Sequence, residues 1–365
     1  MGISASLKSA VIGLLLGLAC LGGLAEAANV FRDPLYGYQK KTDVTYGWAP
    51  TQSAMVALKL DIYLPADRAV PRLKPGMVLM HGGGWSQGDK SSGFGIASEF
   101  ARRGYVAVSI NYRLRGDNPI ISDSGLCGLV GKLGDNELVH GVTAAVEDLL
   151  TAVRWMRDNA GVYGIDPSRI AVGGDSAGAI TSIVAVHCCN DLAVRDVPEI
   201  AAVMNLWGGW PYYWGASFDM KAYLDIGEPP CVSVHGTADR SCPLEQSTVY
   251  HQRLSLLRIE NLLMLNEDAG HGWGENPIFT TIYDGRTEFQ NIVDFFYDVM
   301  ELKKLDPKRL DLDGNRVINF RDFAILARKW QGARPGPCDD CEPAADEQVD
   351  IEDLNMLAIN WLVET

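Results

Sequence analysis

Apolar positions along this chain come in two kinds of run. Leu58, Leu60, Ile62 and Leu64 alternate with Lys59, Asp61 and Tyr63, the period of a strand with one buried face, and Pro65 ends it. Short continuous apolar runs then recur at 77–80, 106–110, 170–172, 201–206, 231–234 and 262–265. Runs of this length, rich in aliphatic and β-branched residues, predict strands buried on both faces, as in a parallel sheet. Between them Val142, Val146, Leu149, Val153 and Met156 step by threes and fours along one helical stripe, and Phe289, Ile292, Val293, Phe296 and Met300 form a second such stripe. Strands alternating with helices predict a doubly wound, mostly parallel α/β sheet with helices on both faces.

The pattern changes at both ends. Lys8, an apolar stretch over 10–24 and the small-residue site Ala25-Glu26-Ala27 read as a signal peptide, and so as export to the periplasm, cell surface or medium. The stretch is shorter than the roughly 20 residues that span a bilayer, so an integral membrane protein is not expected. Cys20 leaves a lipoprotein alternative, which Gly17-Leu18-Ala19 fits poorly. Leu305-Asp306-Pro307 marks a second boundary, beyond which 319–330 recurs as 350–361, Asp322 matching Asp353 and Trp330 matching Trp361. Each copy is a loop followed by an apolar-faced helix; neither can bury that face alone, so the two should pack together. The expected organisation is a signal peptide (1–27), a catalytic domain (28–304) and a small helical module (305–365).

A hydrophobic content of 47% and a charged content of 21% suit a packed core. The net charge of -14 excludes a nucleic-acid surface, which needs clustered Lys and Arg, and favours a neutral or cationic partner. Of the 8 cysteines, Cys20 lies in the signal segment, leaving Cys127, Cys188, Cys189, Cys231, Cys242, Cys338 and Cys341; an odd number leaves at least one free or paired between chains. Cys338 and Cys341 have the spacing of half a zinc site, but no second pair completes it, and a small disulfide loop or two idle thiols is the simpler reading.

Gly174-Asp175-Ser176-Ala177-Gly178 lies between the strand at 170–172 and a helix-like run starting at Ala179. Strand, tight turn and helix form the setting in which a Gly-x-Ser-x-Gly sequence exposes a nucleophilic serine; outside it, the same residues are a glycine-rich turn with a capping serine. His81-Gly82-Gly83-Gly84-Trp85 follows the strand at 77–80 and offers backbone N–H groups to an oxyanion, here assigned to Gly83 and Gly84 with Ala177. A phosphate loop would need the Lys-Ser/Thr ending that is missing. A serine needs a base and the base an orienting acid. Asp239 follows the strand at 231–234 and His271 the strand at 262–265, giving the order Ser, Asp, His. His81, His140, His187, His235 and His251 compete as base, and Glu245 and Asp268 as acid, but none lies in the corresponding turn. Trp85, Trp207 and Trp210, with Tyr212, Tyr213 and Trp214, follow strand ends on the same side; they suit a substrate pocket for an aryl or sugar ester, and ordinary core packing accounts for such residues equally well.

With Asp61-Ile62-Tyr63-Leu64-Pro65, Asn111-Tyr112-Arg113 and Asp166-Pro167-Ser168-Arg169-Ile170, these motifs resemble the α/β-hydrolase superfamily. Within it the chain is similar to carboxylesterases akin to hormone-sensitive lipase and to bacterial feruloyl and acetyl-xylan esterases. The resemblance implies a serine carboxylesterase that needs no cofactor and acts on a small-molecule or polysaccharide ester; a lipid esterase, a serine peptidase or an inactive binding module of the same fold are the alternatives. The segment 116–139, with Cys127, is longer than in such relatives and is expected to form a lid or pocket wall.

Asp311, Asp313, Asn315 and Asp322 fall at positions 1, 3, 5 and 12 of a twelve-residue loop, Asn319 at position 9, and Val317 can add a backbone carbonyl. This resembles the duplicated Ca²⁺ loops of dockerins, although Arg316 stands where Gly is usual. The second copy keeps Asp346, Asp350 and Asp353 but has Glu342 and Ala344 at positions 1 and 3, which weakens its case for metal. The resemblance implies a cohesin-like or cell-surface protein partner.

Overall fold

The continuous apolar runs become the middle of one sheet because each of their residues finds a covering layer. In the computed structural model, residues 29–66, 70–211, 219–274, 277–315, 317–331 and 351–361 are described. The signal segment, Tyr212, Tyr213, Trp214, Cys338, Cys341 and most of the second loop, including Glu342, Ala344, Asp346 and Asp350, lie outside them.

Strands β1 (Tyr38–Pro50), β2 (Met55–Pro65) and β3 (Lys74–Met80) lead to helix α1 (Phe94–Arg102) and strand β4 (Val106–Ile110). Helices α2 (Ser124–Leu133) and α3 (Glu137–Asp158) precede β5 (Ile165–Asp175), α4 (Ala177–His187), β6 (Ala202–Leu206) and β7 (Cys231–Gly236). Then come α5 (Glu245–Leu256), β8 (Asn261–Asn266), α6 (Glu288–Val299), α7 (Phe320–Gln331) and α8 (Ile351–Ile359). The sheet order is β1-β2-β4-β3-β5-β6-β7-β8. Pairings β1/β2 and β2/β4 are antiparallel, and all the others are parallel.

Successive residues of a strand serve opposite layers. Val78, Met80, Val108, Val172 and Val203 pack with α3, α4 and α5; Met77, Leu79, Ala107, Ala171, Met204 and Val234 pack with α1 and α6. Strand β2 differs from its sequence pattern, since Asp61 and Tyr63 are buried as well as their apolar neighbours. It lies inside the sheet between β1 and β4, and Asp61 is matched there by Lys40 at 2.8 Å and Lys90 at 3.1 Å. The long segment 116–139 holds α2, capped by Asp123 and anchored by buried Leu126 and Leu129. Its cap also accepts the Arg195 N–H, so the segment is packed onto the scaffold.

The two C-terminal helices share a small core of Leu310, Ile318, Leu326 and Leu357, closed by Phe320 edge-on to Trp361 at 4.7 Å. This is the mutual packing expected of two one-faced helices.

One buried ion pair ties the loop after β4 to α3. The Arg113 guanidinium meets Asp148 at 2.8 Å and Glu147 at 2.6 Å, and donates to the carbonyls of Pro50 and Ile120. Removing one partner leaves a buried charge unpaired, so Asp148→Ala is expected to destabilise the fold by about 3 kcal/mol or more, read from the urea midpoint. At the start of α6, burial pushes the Glu288 carboxyl up to about 7, while Asn266 donates to it. The folded state therefore holds a proton that the unfolded chain releases near its ordinary value of 4.5. Stability should fall as pH rises from there through about 7, and Glu288→Gln should flatten that fall in melting temperature against pH.

Candidate active site

Strand β5 enters α4 through Ser176, whose backbone sits at φ 51°, ψ -117°. An L residue held there stores roughly 1–3 kcal/mol of strain. The turn closes this tightly because a Cβ on Gly174 would come within 2.1 Å of the Met80 carbonyl oxygen, and one on Gly178 within 2.5 Å of the same atom. Ser176 occupies the cap position of α4 without a side-chain capping bond, and its hydroxyl points elsewhere.

It meets His271, whose Nε2 is 2.8 Å from Ser176 Oγ, while Nδ1 is 2.7 Å from Asp239 Oδ2. The other carboxylate oxygen, Asp239 Oδ1, accepts the backbone N–H groups of Ser241 (2.8 Å) and Cys242 (2.9 Å). Asp239 is buried and His271 is partly open to solvent. A carboxylate only accepts, so Nδ1 carries the imidazole proton and Nε2 is left to accept from the serine. The three residues follow β5, β7 and β8, at the carboxyl edge of the parallel strands.

The rival residues have other partners. His140 pairs with Asp135, His187 with Tyr250 and Glu228, and His251 with Asn261 and Ser233. His81 stacks on Tyr112 at 4.4 Å. Glu245 opens α5, and Asp268 donates its backbone N–H to Thr237.

In the glycine loop Gly83 and Gly84 have φ of 108° and 58°. A Cβ on Gly83 would fall 2.1 Å from the Gln87 carbonyl oxygen. The Gly82 N–H is spent on Asp175 Oδ1 at 3.0 Å, which ties the loop to the serine turn. Among the described residues the N–H groups of Gly83, Gly84 and Ala177 donate to no protein acceptor. Asp175 was not singled out by sequence; its signal was an acid inside the serine motif beside a loop of bare N–H groups.

Two of the three pocket tryptophans require correction. Trp85 is buried with its indole N–H on Thr181 Oγ1 at 2.9 Å, and Trp210 is fully buried, stacked 6.1 Å from Tyr250. Both are core residues, because a large ring just past a strand end has the helical layer within reach. Trp207 is half-buried in a left-handed backbone (φ 41°), edge-on to Trp273 at 5.6 Å. Its indole nitrogen is 3.3 Å from where Gly272 would carry a Cβ, next to His271. Cys242, another residue missed in the sequence, faces the Ser176 side chain; burial pushes its thiol up to about 12.

In the C-terminal loop, carboxylate oxygens of Asp311, Asp313 and Asp322 lie within 4.8 Å of one another. Asp322 is buried and accepts N–H groups of Leu312 (2.7 Å) and Asn319 (2.8 Å). The Asn315 side-chain oxygen accepts the Val317 N–H, and the Val317 carbonyl accepts from Asn319. An all-oxygen donor set of this kind fits a hard divalent cation such as Ca²⁺.

Residues 52–197 match the family model described as the carboxylesterase family, a span that holds the glycine loop and Ser176 but ends before Asp239 and His271. The esterase LipC of Mycobacterium tuberculosis is 24% identical over 272 residues, 65% of this chain and 60% of that protein. Mouse carboxylesterase 1C is 35% identical over 158 residues, 43% of this chain and 26% of that protein. The chain thus spans less than two thirds of the length of these relatives. Among solved structures, Thermogutta terrifontis esterase 2 phosphonylated by cyclosarin superposes with a TM-score of 0.52 at 23% identity, over 72% of this chain and 94% of that one. The apo form of the same esterase gives 0.52 at 23% identity, over 74% and 96%. The chain therefore has the α/β-hydrolase fold of these esterases.

Proposed function

We propose that the chain is an exported serine carboxylesterase that removes acyl groups, acetyl or feruloyl, from polysaccharide. The observation that carries the catalytic part is the unbroken line from Ser176 through His271 to Asp239, with contacts of 2.8 and 2.7 Å. The likeness of 52–197 to carboxylesterases and the names of the relatives support the same chemistry.

In this reading Ser176 Oγ attacks the ester carbonyl as its proton passes to His271 Nε2, and the oxyanion is met by the N–H groups of Gly83, Gly84 and Ala177. The intermediate collapses, the alcohol leaves with the proton from His271, and water repeats the sequence to free the acid and Ser176. Asp239 holds the imidazole in the tautomer that can accept. Trp207, with Trp273 beside it, is placed to form an aromatic wall next to His271. The polysaccharide part rests on the signal-like N-terminus and the repeat module, whose dockerin-like loop would hold Ca²⁺ through Asp311, Asp313 and Asp322, with Asn315 and Val317 as further ligands. A cohesin-like or cell-surface protein is the partner this module would dock.

Ser176→Ala is expected to lower kcat/KM for nitrophenyl acetate by at least about 10³-fold and to abolish labelling by a fluorophosphonate probe. Methyl ferulate and acetylated xylan should be turned over as well. Cleavage of a peptide amide alone, of long-chain lipid esters alone, or no labelling of the unaltered chain, would discard this function for the peptidase, lipid-esterase or inactive-module alternative respectively. Titration calorimetry with CaCl₂ should show binding that Asp313→Ala with Asp322→Ala removes; heats unchanged in that double variant would reject the assigned loop.

A further inference from the structure

We infer that His235, held in one tautomer by the Cys242 carbonyl and backed by Ser247 and Asn205, is a positioning residue that keeps the Asp239 turn set for His271. The inference rests on the triad reading above and deepens it.

His235, Asn205, Ser233 and Ser247 are all fully buried, directly behind the acid. His235 Nε2 is 2.9 Å from the Cys242 carbonyl oxygen, which can only accept, so Nε2 carries the proton. Its Nδ1 faces the Ser247 hydroxyl at 2.8 Å, from which it accepts in the neutral ring; the same hydroxyl also lies 3.1 Å from the Gly208 carbonyl, a second acceptor. Ser247 Oγ in turn receives Asn205 Nδ2 at 3.3 Å, and the second hydrogen of that amide goes to Ser233 Oγ at 2.8 Å. The Asn205 amide cannot be reversed, because its Oδ1 accepts the Gly208 N–H at 3.1 Å.

The far end closes with the same logic. Asn261 Nδ2 is spent on Ser255 and the Ile259 carbonyl, so Asn261 Oδ1 accepts and His251 Nδ1, 2.9 Å away, is protonated. His251 Nε2 then accepts from the Ser233 hydroxyl at 2.7 Å. These contacts fit two neutral imidazoles, with the Gly208 carbonyl as a second acceptor for the Ser247 hydrogen. Burial drives both in that direction, holding His235 below its ordinary value and His251 at about 4. The charged or titratable groups that face His235 are Asp239, His271 and Glu245.

The consequence falls on the acid. His235 grips the Cys242 carbonyl, and the N–H groups of Cys242 and Ser241 grip Asp239 Oδ1, so the turn cannot rotate. The same Nε2–H lies 3.5 Å from Asp239 Oδ2, the oxygen that faces His271, and its dipole partly offsets the carboxylate charge. In the other tautomer a bare nitrogen would confront the Cys242 carbonyl and the carboxylate together. The choice between the two is made by the Cys242 carbonyl at Nε2, and the Ser247 hydroxyl matches it at Nδ1.

The test is kcat and KM for nitrophenyl acetate against pH, on the full chain, with unfolding midpoints measured alongside. Ser247→Ala should lower kcat about tenfold with KM unchanged, the size of one lost buried hydrogen bond. His235→Leu should lower kcat further and move the acid limb of kcat/KM to higher pH, because a less compensated Asp239 holds the proton on His271 more firmly. His235→Gln, which can still donate to the Cys242 carbonyl, should recover most of the lost kcat. If the Leu variant does not fold, Ser247→Ala decides, since it removes one oxygen. A folded Ser247→Ala with the kcat and pH profile of the unaltered chain would overturn the inference while leaving the triad reading intact. Lack of Ser176-dependent turnover in the unaltered chain would overturn the triad reading and this one with it.

Discussion

The carbonyl oxygen of Met80, at the end of β3, occupies the space where a side chain on Gly174 or Gly178 would stand. That single close approach dictates both glycines of the serine motif, and with them a turn too tight for relaxed geometry at the residue between. Ser176 is left at φ 51° with its hydroxyl out of the helix cap and free for His271. Because β3 and β5 are paired in register, Met80 beside Gly174, the constraint belongs to the sheet itself and not to a loop that could yield.

The same sheet edge explains why the other parts arrive where they do. The glycine loop follows β3, and Asp239 and His271 follow β7 and β8, so with the serine turn after β5 four turns emerge along one edge of a rigid base. They are then fastened to one another by short polar links: Gly82 to Asp175, the Cys242 backbone to Asp239 and to His235. Precise geometry of this kind is easier to hold on turns rooted in paired strands than on free loops.

Much of this was legible in the residues. The runs at 106–110 and 231–234 are strands where the pattern put them, because a continuous apolar stretch of that length has few other homes. The order of Ser176, Asp239 and His271 could be read because each is flanked by glycine or small residues just past a strand. The fate of the tryptophans could not, since depth in the fold decides it: Trp85 and Trp210 turn inward to Thr181 and Tyr250, which lie far away in sequence. Nor could Asn205 be linked to His235, because a polar residue inside an apolar strand run does not name its partner. Strand β2 misled in the opposite sense; Asp61 and Tyr63 are buried, and Lys40 and Lys90 together with the Asp43 backbone N–H make that tolerable for Asp61.

The five cysteines among the described residues are all free thiols, and four of them are buried. Burial raises the thiols of Cys188, Cys189, Cys231 and Cys242 far enough that thiolate is scarce at neutral pH. Among the described residues of the α/β unit, an oxidant or a disulfide-exchanging partner therefore meets the exposed thiol of Cys127 and finds the other four shielded as long as the unit stays folded. Among these residues no covalent staple ties the sheet and helices together, so for the four buried thiols resistance to oxidation comes down to how rarely the interior opens.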